Sequence, residues 1–192
     1  MIGDVLVFLK NHLDAHLQGR ASSGLEEPSG DKVVFVDGDK MDPITFKLGA
    51  VSVLLINVEE ERTLRAPDPF TRVTASGTRL KVQPDIRMNL YVLFVARFKQ
   101  YEQAWNHLSR IIEYFQTHRV LDRQSAPDLS SDIERLTMEL VTLQFAEQNE
   151  VWNALRTTHH PSILYKVSLL VFRDRQAVQP GEVREEVIST AL

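Results

Sequence analysis

Between Met88 and Gln116 the chain reads MNLYVLFVARFKQYEQAWNHLSRIIEYFQ, and its hydrophobic period changes once, near Phe98. Up to that point Met88, Leu90, Val92, Phe94 and Ala96 alternate with Asn89, Tyr91, Leu93, Val95 and Arg97. Successive side chains of a strand point to opposite faces, so this pattern describes a long strand that is mostly apolar on both sides. Such a strand belongs in the middle of a sheet with both faces covered. Beyond Phe98, Tyr101, Trp105, Leu108, Ile111, Ile112 and Phe115 recur at helical spacing. The pair constrains the rest of the chain, which must supply neighbouring strands and layers for two faces.

Those neighbours are legible. Ile2, Val5, Leu6, Leu9, Leu13 and Leu17 make a helical stripe that ends at Gly19. Val33–Val36 is a short β-branched strand, and the turn signal Asp37-Gly38 predicts that Ile44–Leu48 pairs back against it. Ala50–Val58 reads as a second long apolar strand that leaves the core at Glu59, Glu60 and Glu61. Arg62–Pro84 holds Pro67, Pro69, Pro84 and Ser76-Gly77 and is expected to be a loop or hairpin anchored by Phe70 and Val73.

Ile133–Phe145 supports two readings. Ile133, Leu136, Leu140 and Leu143 fit a helix with a Ser131/Glu134 capping box. The β-branched Thr137, Val141 and Thr142 and the alternation from Leu136 favour a strand over 136–144. A short helix over 147–156, stopped by Pro161, and a last strand over 163–172 complete the order. The fold class is α+β: a single domain over 1–173 with a mixed four- to five-stranded sheet and two longer helices packed on it. Residues 174–192, with apolar Val187, Ile188 and Leu192, read as a flexible tail suited to ordering on a neighbour.

Composition excludes several chemistries. The chain has 192 residues, 43% hydrophobic and 25% charged, with a formal net charge of -4. It holds no cysteine, so disulfides, thiol catalysis and cysteine metal sites are ruled out. Its densest basic group, Arg62, Arg65, Arg72, Arg79 and Lys81, lies in a mixed-charge segment, and no nucleic-acid partner is expected. The apolar runs fall well short of a membrane span of about 20 residues. The first helix carries Asp4, Lys10 and Asp14 and reads as amphipathic, without the profile of a secretion signal.

No catalytic, cofactor or metal site emerges. Glu59, Glu60 and Glu61 are adjacent on an extended chain, so their carboxylates point alternately to opposite sides and cannot converge on a cation. They read as a solvated strand end, or as an acidic rim that meets arginine of a neighbouring subunit, with Arg62 and Arg65 following directly. His12 and His16 have the spacing of zinc ligands but lack a third ligand nearby, and His159-His160 sit before Pro161 in a turn. There is no Gly-x-Ser-x-Gly elbow and no glycine-rich phosphate loop. Trp105, Phe115, Trp152 and Tyr165 are assigned to the core. A binding or assembly role remains.

Five blocks carry a resemblance: MIGDVLVFLKNHLDAHL at the start, INVEEERTLR (Ile56–Arg65), Asn89–Gln116, RLTMELVTLQFAEQNEVWNAL (Arg135–Leu155) and HPSILYKV (His160–Val167). In this order and spacing the chain resembles the cap proteins, or tail terminators, of phage-tail-like extracellular contractile injection systems, over roughly residues 1–173. Two segments depart from the pattern: Ala66–Gln83, a longer or divergent insertion, and everything after Arg173.

The resemblance implies a tail-terminator-like fold with a strand over 136–144, and no enzymatic activity. It implies a structural cap, a homo-oligomer forming a hexameric ring. The ring would sit on the distal end of the inner tube, stop the tube protein from polymerising and tie the sheath protein to it. Such a protein is made in the bacterial cytoplasm and becomes part of an extracellular particle, with no membrane or nucleic-acid partner. Interface candidates are Glu59, Glu60, Glu61, Arg62, Arg65, Phe70 and Arg72 for ring or tube contacts. Val187, Ile188 and Leu192 are the candidates for the sheath. A tail-completion or connector protein of a contractile phage, and a small-molecule-binding α+β domain, are the alternatives.

Overall fold

A computed structural model of the full chain describes residues 1–19, 30–38, 43–63, 70–75 and 77–173. The element order is α1 (Ile2–Gln18), β1 (Val33–Phe35), β2 (Ala50–Glu60), β3 (Thr71–Val73), β4 (Arg79–Lys81), β5 (Ile86–Arg97), α2 (Tyr101–Thr117), β6 (Val120–Asp122), β7 (Arg135–Val141), α3 (Phe145–Ala154) and β8 (Ser162–Phe172). Six strands form one sheet in the order β1-β2-β5-β8-β7-β6, and β3 and β4 form a separate two-stranded sheet. The class is α+β as expected, with more strands than the four or five anticipated.

The long apolar strand is central. β5 pairs antiparallel with β2 on one side, Phe94 opposite Val53, and with β8 on the other, Phe94 opposite Ile163. Leu90, Val92, Phe94 and Ala96 join Val5, Leu9 and Leu13 of α1 and Leu108, Ile111 and Phe115 of α2 in the larger core. Aromatic packing closes its middle: the Phe94 ring lies 6.1 Å from Phe115 and 6.0 Å from Tyr165, in the offset and edge-on geometries aromatic rings favour. The helices lock to one another and to the sheet through half-buried polar contacts. Arg110 Nη2 donates to the Leu17 carbonyl at 2.9 Å, and Asp14 Oδ1 accepts from Lys32 and Val33 N–H at 2.6 and 2.9 Å, which fixes the start of β1.

The opposite face is covered differently. Leu54, Leu93, Val95 and Leu164 pack with Ile44, Phe46 and Trp152 in a smaller cluster. Phe46 is held there because Arg97 Nη1 donates to its carbonyl at 2.6 Å, while Gly49, at φ +82, makes the turn that leads into β2. Residues 45–47 are irregular, so the hairpin expected across Asp37-Gly38 does not form. β1 instead pairs in parallel with β2, Val33 opposite Val51.

Residues 135–141 form a strand, as their β-branched content favoured, and the capping box belongs to α3, where Gln144 N–H donates to Glu147 Oε2 at 2.8 Å. α3 ends before Pro161: Arg156 adopts φ 51, and this left-handed residue terminates the helix. β6 was not anticipated, being only three residues long with a single buried anchor, Leu121.

A candidate assembly surface on the open half of the sheet

β2 changes character along its length. Ala50–Leu54 are buried, a bulge at Ile56 shifts the register against β5, and Asn57–Glu60 are exposed. The bulge re-aims the strand end. Asn57 then pairs with Tyr91 and Glu59 with Asn89, so Glu59 and Glu61 share the face of those two residues while Glu60 points away.

Each acidic side chain has its own partner. Tyr91 donates its hydroxyl to Glu59 Oε2 at 2.7 Å, and that bond to a carboxylate pushes the phenol up to about 12. Arg62 Nε meets Glu60 Oε2 at 2.9 Å on the exposed side. Thr63 N–H donates to Glu61 Oε1 at 2.8 Å and Asn89 Nδ2 to Oε2 at 3.1 Å; the Thr63 bond foremost holds the Glu61 carboxyl down at about 2. Asn89 is 1% exposed beside a bulge in β8, and its Oδ1 has no partner among the described residues. The three carboxylates therefore do not converge. Among the described residues no group of three or more His, Cys, Asp or Glu side chains is placed to hold a metal.

Residues 70–75 and 77–83 extend from the same end of the sheet. β3 and β4 pair only with each other, Arg72 opposite Leu80, and Arg72 Nη2 reaches Asp85 Oδ1 at 2.9 Å. Phe70 and Val73 do not anchor this hairpin: they are 55% and 62% exposed. Val82, 6% exposed, is the buried residue, and its N–H donates to the Phe70 carbonyl at 2.9 Å. Of the remaining interface candidates, Arg65, Val187, Ile188 and Leu192 lie outside the described residues.

Two features escaped the sequence reading. One is an apolar groove of about 660 Å³ beside β2, walled by Leu54, Ile56, Tyr91, Leu143, Val151 and Leu155 among others. The other is a set of exposed aromatics, Tyr101, Trp105 and Phe145. Trp105 was assigned to the core, yet it is 47% exposed, because Ala104 takes the buried place in the stripe with Leu108, Ile111 and Phe115. Ala104 completes the i, i+4, i+7 spacing with Leu108 and Ile111, and its small side chain adds little to the hydrophobic pattern beside a tryptophan.

The family model described as "Pvc16 N-terminal domain" matches residues 4–186. The chain belongs to the Pvc16 N-terminal domain family. Two solved structures share its fold. One is the sheath/tube terminator, in the extended state, of PVC, an extracellular contractile injection system: TM-score 0.53, 14% identity, covering 97% of this chain and 64% of the other. The other is the anti-feeding prophage cap, described as a tube-terminating cap: TM-score 0.55, 16% identity, covering 97% of this chain and 61% of the other. The chain thus spans a little under two thirds of the length of these relatives. No curated protein matches it. Within the Pvc16 N-terminal domain family, then, this chain supplies the helix-backed sheet, the exposed β2 end and the β3–β4 hairpin described above. Among the described residues, no helix is long and apolar enough to cross a membrane.

Proposed function

We propose that this chain is a structural cap that terminates the inner tube of a contractile injection particle. The observation that carries the reading is the family match over residues 4–186, supported by a fold shared across 97% of the chain with a sheath/tube terminator and a tube-terminating cap. Helical tubes grow by heterologous contacts that repeat without closing along the axis. A ring that matches the last tube layer on one face, and lacks that face's complement on the other, ends growth. The protein acts as a homo-oligomer, a hexameric ring in the family's manner, seated on the tube protein, with the sheath protein as its second partner.

The exposed β2 end, Glu59–Arg62, and the arm from Phe70 to Gln83 lie at one end of the sheet and are assigned to ring or tube contacts, and residues 174–192 to the sheath. The protein is made in the bacterial cytoplasm and leaves as part of the particle. We assign it a structural role with no chemistry, as the names of its fold neighbours, a sheath/tube terminator and a tube-terminating cap, support.

The test is the native mass of the purified chain, by light scattering, with and without the tube protein of its own particle. The expected result is a hexamer, alone or on addition of tube protein. A persistent monomer that ignores the tube protein overturns the reading.

A further inference from the structure

The groove beside β2 has no part in the contacts described so far, and its chemistry narrows what can enter it. Of its lining residues only Asn57 and Tyr91 carry polar side chains. Both are engaged: Asn57 Oδ1 accepts from the Val58 N–H at 2.9 Å, and the Tyr91 hydroxyl donates to Glu59. Small-molecule sites use a few convergent polar groups to orient a ligand, whereas here two polar side chains, each already bonded within the chain, border an otherwise apolar wall. An apolar protein segment fits better.

The mode of entry is also constrained. β1 covers β2 only at Val51–Val53, so the edge beyond is open among the described residues. A plain open edge invites strand addition. Here the bulge at Ile56 breaks the ladder, and the Asn57 side chain occupies the Val58 N–H. Entry is therefore by side chains into the groove, with backbone pairing blocked at its centre.

The same molecule carries a segment with the matching properties. The β3–β4 arm exposes Phe70 and Val73. From Phe70 to Gln83 it holds three cations, Arg72, Arg79 and Lys81, and no anion. The groove runs toward Glu59, Glu60 and Glu61, three consecutive anions at the end of β2. Arm and groove are different surfaces, so joining them is a heterologous contact, the kind that closes a ring when its rotation is a whole fraction of a turn.

We infer that the β3–β4 arm of one copy docks into the β2 groove of the next copy, head to tail, with Val73 in the apolar cavity and Arg79 and Lys81, which share its face of the ribbon, against the glutamates. This inference rests on the ring reading above and specifies the contact that builds the ring.

The chain lacks cysteine, so introduced thiols report without background. Full-length Val73→Cys and Leu155→Cys chains are prepared separately, mixed, and treated with a short bismaleimide, alongside native mass measurements with and without tube protein. The expected result is a covalent dimer in the mixture and in neither chain alone, and a ladder of linked copies from the double variant. As a second arm, Arg79→Glu with Lys81→Glu is expected to weaken assembly by on the order of tenfold or more, and Glu59→Lys with Glu61→Lys, on the face shared with Tyr91, in the same chain to restore it.

A ring of normal mass without the mixed cross-link overturns the inference and leaves the cap reading standing. So does a cross-link confined to Val73→Cys alone, which would mean that arm meets arm. A cross-link within a single copy of the double variant also overturns it, as does an arm that links only to tube protein. A monomer under every condition overturns both.

Discussion

The two faces of β5 are made from the same strand and are finished differently. On one, Leu90, Val92, Phe94 and Ala96 meet two 17-residue helices, which close a core within the chain. On the other, among the described residues, Leu93 and Val95 are covered by the 10-residue α3 and the segment around Phe46, and the apolar surface runs on into an open groove. The first face is a folding device. The second is half a folding device and half a surface held in reserve. A strand apolar on both sides thus shows that two covers are needed, while leaving open whether one chain supplies both.

The largest expected effect tests the closed face. Phe94 is fully buried between Phe115 and Tyr165. Replacing it with alanine removes a large aromatic from a packed site and is expected to cost about 3–5 kcal/mol, read by urea denaturation. Leu93→Ala, one residue along and facing the smaller cluster, is expected to cost about 2 kcal/mol, the lower end for such a truncation. Equal losses would erase the distinction between the faces.

The groove supplies the sharper test. Leu143 is half-buried on its wall. Leu143→Asp is expected to change the stability of the isolated chain by less than about 1 kcal/mol, in the range of partly exposed substitutions, while reducing the native mass to that of a monomer. A variant that unfolds would place Leu143 in the core, and one that assembles normally would remove the groove from the interface.

Legibility in the sequence divides along the same line. β5, α1, α2, β2 and β8 were all readable, because burial within the chain imposes a period on the residues that perform it. What failed was short or set by tertiary context. β6 has one buried anchor, Leu121, and no period can be read from three residues. The 44–48 segment carried alternation without a ladder, since Arg97 and the parallel pairing of β1 decide its place. Phe70 and Val73 were expected to anchor their loop by hydrophobicity alone, and they are exposed. The groove is not legible locally because its walls come from β1, β2, β5, β7, β8 and α3, which no local pattern brings together. The alternating directions of Glu59, Glu60 and Glu61 were legible, as strand geometry fixes them.

The next effect is smaller and concerns the open end of the sheet. Glu61 has its carboxyl held at about 2 in the fold, first by the Thr63 N–H, against an ordinary value of 4.5. A carboxyl with a depressed folded value binds its proton more weakly folded than unfolded. Its stabilising contribution is therefore complete above pH 4.5 and is lost as the pH falls from there toward 2. Glu61→Gln removes that dependence. Melting temperatures are expected to fall less steeply between pH 5 and pH 3 in the variant than in the parent, with a modest loss at pH 7. Parallel curves would show that the Thr63 and Asn89 contacts do not persist in solution.

The smallest expected effect returns to the closed face, where α1 meets α2. The His12 ring lies tilted against Phe8 at 4.6 Å and edge-on to Tyr114 at 6.3 Å. Burial lowers its pKa below the ordinary 6.5; the Asp128 carboxylate opposes that shift and His118 adds to it. The group thus takes up a proton more readily unfolded than folded, the reverse of a histidine that gains an ionic partner. Stability is complete above pH 6.5 and declines as the pH drops from there toward the lower folded value. His12→Phe keeps an aromatic ring in place without the proton, so its stability is expected to decline less between pH 7 and 5.5 than the parent's, the remaining slope coming from His160, which burial also lowers. The same pH range should leave groove-dependent assembly unaffected, because no histidine lines the groove. An assembly that weakened together with folding over that interval, and recovered in His12→Phe, would mean that the two faces of the sheet are energetically joined.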